Sequence, residues 1–247
     1  MSDSLRGRVA LVVGGTRGIG AAISERMAAD GASVAMIHLS RSAEAARLAA
    51  KLAAGGTATL AIQADVADPL ALSDAIDAVI DRFGRIDILV NNAGLAITGA
   101  LDDYAADAFD RVFAVNVRAP FVAARKVAKR MDAGGRIITI GSIVADHVPG
   151  EGATLYAASK SALGGLTRGL ARDLGACGIT VNLVQPGPID TERNPADGPD
   201  AADNRAPLAI RRHGTAAEVA GLVAYLASAA AGFVTGAVYN IDGGWSA

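Results

Sequence analysis

Five consecutive apolar residues, Val9 to Val13, run straight into Gly14-Gly15-Thr16-Arg17-Gly18-Ile19-Gly20, and then into a segment with Ile19, Ala22, Ile23 and Met27 at helical spacing. An uninterrupted apolar strand is buried on both faces, as in a parallel sheet, and parallel pairing demands long crossover connections. Strand, glycine turn and helix in that order also form a phosphate cradle. Glycines let the backbone close in, and the unpaired N–H groups of the first helical turn attract an anion. The spacing is Gly-x-x-x-Gly-x-Gly rather than Gly-x-Gly-x-x-Gly. The plain alternative is a tight turn that only packs helix on strand.

The rest of the chain repeats the alternation. Apolar runs predict strands at 33–37, 57–63, 86–90, 136–140, 179–184 and 233–242, with helical segments between them at 43–54, from Pro69 to Phe83, at 106–131 and at 157–174. Thr215-Ala-Ala-Glu218 is a capping-box pattern that opens a further helix through Leu226. With 247 residues and 51% hydrophobic content the chain can bury one large core, and no linker divides it, so 1–247 reads as a single domain. The polar stretch of about 190–214 is long for a connection in such a domain and reads as a lid.

Charge narrows the function classes. Net charge is −2 and 19% of residues are charged, which leaves no electrostatic footprint for nucleic acid or an anionic membrane. The apolar runs are too short to span a bilayer. Cys177 is the lone cysteine, which excludes an intramolecular disulfide and argues against a zinc cluster. The expectation is a soluble cytoplasmic protein with no metal.

The end of the second strand selects between dinucleotides. An NAD site offers an acid about twenty residues past the glycine loop. Here the chain has Ile37-His38-Leu39-Ser40-Arg41, with no acid before Glu44. Arg17 and Arg41 can pair with a 2′-phosphate and Ser40 can donate to it, which favours NADP(H) over NAD(H). His38 reads as a neighbour of the adenosine end. Asp65, followed by Val66, lies either on the ligand side of the sheet or at the cap of the helix that Pro69 opens.

Tyr156 and Lys160 stand one turn apart on one helix face, and the strand at 136–140 delivers Ser142 to the same rim. Unperturbed tyrosine titrates near ~10, and a neighbouring cation favours the phenolate. One close charge supplies roughly 4 kcal/mol at an effective dielectric of ~20, enough to move that pKa. A proton-transfer role follows, with Ser142 hydrogen-bonded to the group that receives the proton. Asn116 interrupts the apolar stripe of the 106–131 helix, and from spacing alone it reads as a satisfied core amide.

In order along the chain, Gly14-x-x-x-Gly18-Ile-Gly20, Asp65-Val66, Asn91-Asn92-Ala93-Gly94, Asn116-Val117, Ser142, Tyr156-x-x-x-Lys160, Pro186-Gly187 and Ile241-Asp-Gly-Gly244 resemble the short-chain dehydrogenase/reductase family over essentially the whole length. The resemblance implies an α/β fold of Rossmann type, doubly wound, with a seven-stranded mostly parallel sheet and helices on both faces. It implies hydride transfer between NADP(H) and a carbonyl or secondary alcohol. By that likeness Tyr156 is the general acid, Ser142 polarises the substrate oxygen, Lys160 lowers the tyrosine pKa and holds the nicotinamide ribose, and Asn116 anchors a relay water. The implied cofactor site comprises Gly14, Thr16, Arg17, Gly18, Ile19 and Gly20, then His38, Ser40 and Arg41, then Asp65, Val66, Asn92, Ala93 and Gly94. Tyr156, Lys160, Pro186, Gly187, Ile189 and Thr191 complete it, with Asn91 against the adenosine ribose. The resemblance also implies a homotetramer, with the helices bearing Asn116 and Tyr156 in one interface and the last strand in another. The chain departs from the pattern at Val13, where many members carry threonine.

The branch most similar in look is that of the 3-oxoacyl-acyl-carrier-protein reductases, including relatives linked to cyclic di-GMP binding and biofilm dispersal; 185–191, 194–196 and 212–214 look similar to the latter. A second reading is therefore a nucleotide-binding regulatory protein on the same scaffold, sensing cyclic di-GMP or the redox state of its cofactor. The substrate pocket is expected from 95–97, 143–150, Pro186-Gly187 and the lid, with His147 at its rim. Arg205, Arg211 and Arg212 read as solvated charges.

Overall fold

In the computed structural model, which describes residues 4–148 and 150–247, the apolar run Val9–Val13 forms β1 and every residue of it is buried. The alternation of its side chains divides the protein into two layers. Ala10 and Val12 face one core with α1 (Gly18–Ala29) and α8 (Ala216–Ala227). Val9, Leu11 and Val13 face the other, with α3 (Pro69–Phe83), α5 (Ala119–Ala128) and α6 (Thr154–Leu174). Helices thus cover both faces, and the continuous hydrophobicity of the strand is explained.

The sheet has seven strands, in the order β3-β2-β1-β4-β5-β6-β9, where β2 is Ser33–His38, β3 Thr59–Gln63, β4 Ile88–Asn91, β5 Arg136–Ile140, β6 Thr180–Pro186 and β9 Val238–Ile241. Every pair is parallel, so "mostly parallel" becomes wholly parallel for this sheet. The last strand is shorter than the apolar run suggests. Phe233 is fully exposed and Gly236 takes a positive φ of 72°, so pairing begins only at Val238. A side sheet of β7 (Ile189–Asp190) and β8 (Gly214–Thr215) pins the two ends of the lid together, and α7 (Ala201–Arg205) lies between.

Register sets the rim. Val13 aligns with Ile37 of β2 and with Asn91 of β4, so the carboxyl ends of these three neighbouring strands are level. The chain crosses from one side of the sheet to the other between β1 and β4, and the crevice outside such a switch point is where ligands of open α/β sheets sit.

The helix expected over 106–131 is divided. α2 (Ser42–Ala54) and α3 are regular, but the long segment is α4 (Ala108–Phe113), a π-helical stretch Ala114–Arg118, and then α5. Asn116 lies within the π-helical stretch, a feature found mostly as a local bulge and often at functional sites. Asp65 is not the cap of α3. Asp68 is: its carboxylate accepts from Leu70 and Ala71 N–H, while Asp65 accepts from Ala67 N–H two residues on. The capping box at Thr215 and Glu218 forms as its sequence requires. Among the described residues no helix is long and apolar enough to cross a membrane.

Candidate active site

A cleft of about 1010 Å³ runs along the carboxyl edge of the sheet, from Arg41 at one end to Tyr156 at the other. The glycine loop forms its floor. Gly14 has φ 78°, and a Cβ there would lie 2.7 Å from the Ala93 backbone nitrogen, so only glycine fits. A Cβ at Gly20 would meet the Gly14 carbonyl and come within 2.6 Å of Asn92 Nδ2. Gly20 stands behind the cleft and packs the loop, whereas Gly14, Thr16, Arg17, Gly18 and Ile19 line it. Val13 leaves the loop well tied despite lacking a hydroxyl. Gly14 N–H donates to Ile37 O at 2.8 Å, Asn92 and Ala93 N–H donate to Val13 O at 2.9 and 2.8 Å, and Asn92 Nδ2 donates to Gly14 O at 2.8 Å.

At the Arg41 end, His38, Ser40, Arg41, Asp65 and Val66 line the cleft. The His38 ring lies 3.2 Å from Ser40 O through Nδ1, which holds the turn after β2. Arg41 adopts the left-handed conformation, φ 58°, unusual for a non-glycine residue. Ala93, Gly94 and Asn92 line the middle. Asn91 does not; it is buried against Thr139, its Nδ2 3.4 Å from the hydroxyl, because successive strand residues point to opposite faces.

At the other end, β5 brings Ser142, and α6 brings Tyr156 and Lys160, to the same wall as Pro186, Gly187, Ile189 and Thr191. Ser142 also accepts from Val144 N–H at 3.3 Å, which fixes the turn that carries it. Lys160 is buried, donates to Ile140 O at 3.0 Å, and has its Nζ 5.8 Å from the Tyr156 ring centroid. Burial pulls its pKa down to about 8, helped by the Arg193 charge. The expected lowering of the tyrosine is absent here. Burial pushes the Tyr156 phenol up, and the groups that draw it back are the Ser142 hydroxyl, which hydrogen-bonds to it, and Arg193. A desolvated anion is costly, and that effect outweighs the Ser142 hydrogen bond and the Arg193 charge.

Asn116 does not line the cleft. Its Oδ1 accepts from Leu95 N–H and its Nδ2 donates to Leu95 O, both at 2.8 Å, and Nδ2 also lies 2.9 Å from Ser159 Oγ. It is a satisfied core amide as spacing alone suggested, and it braces Leu95, which does line the cleft. In the lid, Arg205 donates to Ala196 O, Arg211 to Ala206 O, and Arg212 to Glu218, so all three bind the protein's own groups. His147 is exposed, and position 149 lies outside the described residues.

Sequence reasoning reached Glu192 and Arg193 only as part of the 190–214 lid and passed over Arg111 and Val115; all four line the cleft. The available signal for the charged pair was Thr191, an expected cofactor contact that Glu192 and Arg193 follow directly.

The donor set suits a phosphorylated dinucleotide. The glycine turn admits a pyrophosphate at the amino end of α1, and two guanidiniums flank the far end of the cleft.

Comparison with known proteins gives a consistent picture. The family described as enoyl-(acyl carrier protein) reductase matches residues 13–246. The cyclic-di-GMP-binding biofilm dispersal mediator protein of Escherichia coli K12 is 47% identical over 98% of this chain and 98% of its own length. The short-chain dehydrogenase/reductase of Serratia marcescens BCRC 10948 superposes with a TM-score of 0.97 at 52% identity, covering 99% of this chain and 100% of that one. A short-chain dehydrogenase from Burkholderia cenocepacia J2315, solved in complex with NADP, gives 0.97 at 50% identity with the same coverage.

Proposed function

The chain belongs to the short-chain dehydrogenase/reductase family, and from that premise we propose that it is an NADP(H)-dependent oxidoreductase acting on a carbonyl or secondary alcohol through Ser142, Tyr156 and Lys160. The observation that carries this is the meeting of the three side chains at one end of a cleft whose other end holds Arg17 and Arg41. The Burkholderia relative solved with NADP supports the choice of cofactor.

Bound NADP(H) supplies the hydride chemistry. The chain's own groups bind, orient and move the proton. Thr16, Gly18 and Ile19 receive the pyrophosphate through the loop, and Arg17, Ser40 and Arg41 receive the 2′-phosphate. In reduction, Tyr156 Oη gives its proton to the substrate oxygen, and in oxidation it takes that proton back. The phenol is protonated at neutral pH, as tyrosine ordinarily is; burial makes its proton harder to release, and the Ser142 hydrogen bond and the Arg193 charge oppose that push. Ser142 Oγ donates to the same oxygen and stabilises charge that develops there. Lys160, cationic below pH about 8, stands beside the Tyr156 ring and holds the ribose. Asn116 anchors a water in the proton relay, and its side chain braces the wall through Leu95 and Ser159.

The reading extends to one Rossmann-type domain with 190–214 as substrate lid, to the cytoplasm, and to a homotetramer. Exposed Phe109 and Phe121 on the Asn116 segment, open space beside Gly165 and Gly169 on α6, and exposed Val238 on the edge strand support the two interfaces.

A second reading, cyclic di-GMP binding, is favoured by the name of the 47% identical Escherichia coli relative. NADPH oxidation with a panel of ketones, aldehydes and quinones, comparing wild type with Tyr156→Phe, decides between them. Turnover that the substitution abolishes supports the enzyme; equal inertness of both proteins, with tight cyclic di-GMP binding, rejects it.

A further inference from the structure

Thr191 and Asn194 close a tight turn on themselves, each N–H directed at the other's carbonyl, at 3.4 and 3.0 Å. Glu192 and Arg193 are the two residues at its tip, and they reach in opposite senses along the cleft. Arg193 Nη1 donates to Gly94 O at 3.3 Å, toward the Tyr156 end. Glu192 Oε2 accepts from Arg41 Nη1 at 3.0 Å and lies 3.9 Å from Arg17 Nη1, at the adenosine end. The turn therefore straps the lid across the cleft. Its carboxylate sits on the two guanidiniums that would receive a 2′-phosphate.

We infer that Glu192 is a specificity-determining residue for the dinucleotide, which holds Arg41 and Arg17 from the lid and so weakens binding of a 2′-phosphate relative to a 2′-hydroxyl. This rests on the cofactor reading above. The acid that NAD sites carry at the end of the second strand is absent here, and Glu192 brings a carboxylate from the lid to Arg41, three residues past that strand. A phosphate arriving there meets a like charge and must take both arginines from it. Glu44, 3.2 Å from Arg41 Nη1, remains as partner on the near side. Both arginines are about half exposed, so the contest is between screened charges and its size is modest.

Equilibrium titration of the whole protein with NADP+, NAD+ and 2′,5′-ADP tests this without turnover. Glu192→Gln should tighten NADP+ and 2′,5′-ADP about fivefold, the upper range for an exposed pair, and change NAD+ less than about twofold. The gain should shrink in 0.5 M salt and fall below about twofold in an Arg41→Ala background, since the two residues act on one another. An equal gain for NAD+ would mean that Glu192 only latches the lid, and would overturn the inference, as would no change or a loss. Wild type that binds none of the three ligands rejects the cofactor reading and the inference with it, whereas wild type that binds NADP+ with an indifferent Glu192→Gln rejects the inference alone.

Discussion

Asn116 grips Leu95 by both backbone polar groups, accepting from its N–H and donating to its C=O at 2.8 Å each. Such a reciprocal pair does for an irregular segment what a strand partner does in a sheet, and it fixes the wall of the cleft from behind. The amide is 1% exposed, so water cannot replace it. Asn116→Ala leaves the Leu95 groups and the Ser159 hydroxyl short of a partner, a loss of about 1–3 kcal/mol. The melting temperature should fall by about 3–10 °C and kcat should fall with it. An unchanged melting temperature, read by differential scanning calorimetry, would contradict this.

Removal of the phenol oxygen separates chemistry from binding. Tyr156→Phe should lower kcat/KM about 10²- to 10⁴-fold, the range for one positioned acid, and leave the NADPH dissociation constant within about threefold. Ser142→Ala should cost about 10²-fold or more, as for one donor at a developing oxyanion. If both variants retained wild-type rates on a substrate the wild type reduces, the proton would come from elsewhere.

Lys160 gives a pH signature in stability. Its folded-state pKa is about 8, against 10.5 for the ordinary group. Between those values the unfolded chain holds more protons, so this group's contribution to stability increases as pH rises through that window and is constant outside it. Lys160→Met lacks the titration. The melting temperature of wild type relative to Lys160→Met should therefore rise from pH 8 to pH 10.5. A flat or falling difference would mean that the ammonium is not desolvated as its burial implies.

The proposed cofactor site places the 2′-phosphate on Arg41. A charge-assisted hydrogen bond to phosphate contributes roughly 1.5–3 kcal/mol, so Arg41→Ala should weaken NADPH about 10- to 100-fold and leave NADH nearly unchanged. Comparable kcat/KM for the two cofactors in wild type would refute the preference itself.

Gly20→Ala tests the cradle. The added methyl meets the Gly14 carbonyl and Asn92 Nδ2, both of which hold the loop against β4. Dinucleotide binding should be lost even where the protein still melts cooperatively. Gly175→Ala, which faces open space at a helical φ of −60°, should be silent in the same assay.

What the amino-acid order determined is local in origin. The apolar run at Val9–Val13, the glycines after it and the four-residue step from Tyr156 to Lys160 are patterns of period and spacing, and period dictates strand, turn or helix wherever one face must be buried. The capping box at Thr215 was readable for the same reason, since both of its partners lie within one turn. Contacts between distant segments were decided by packing. Nothing near Glu192 in sequence announces Arg41, 151 positions away, and only the sheet's topology brings the lid over β2. The π-helical stretch at Asn116 and the upward push on the Tyr156 phenol have the same origin. Both depend on what surrounds a group in three dimensions, because hydrogen-bond satisfaction and desolvation are properties of a neighbourhood that spacing along the chain does not encode.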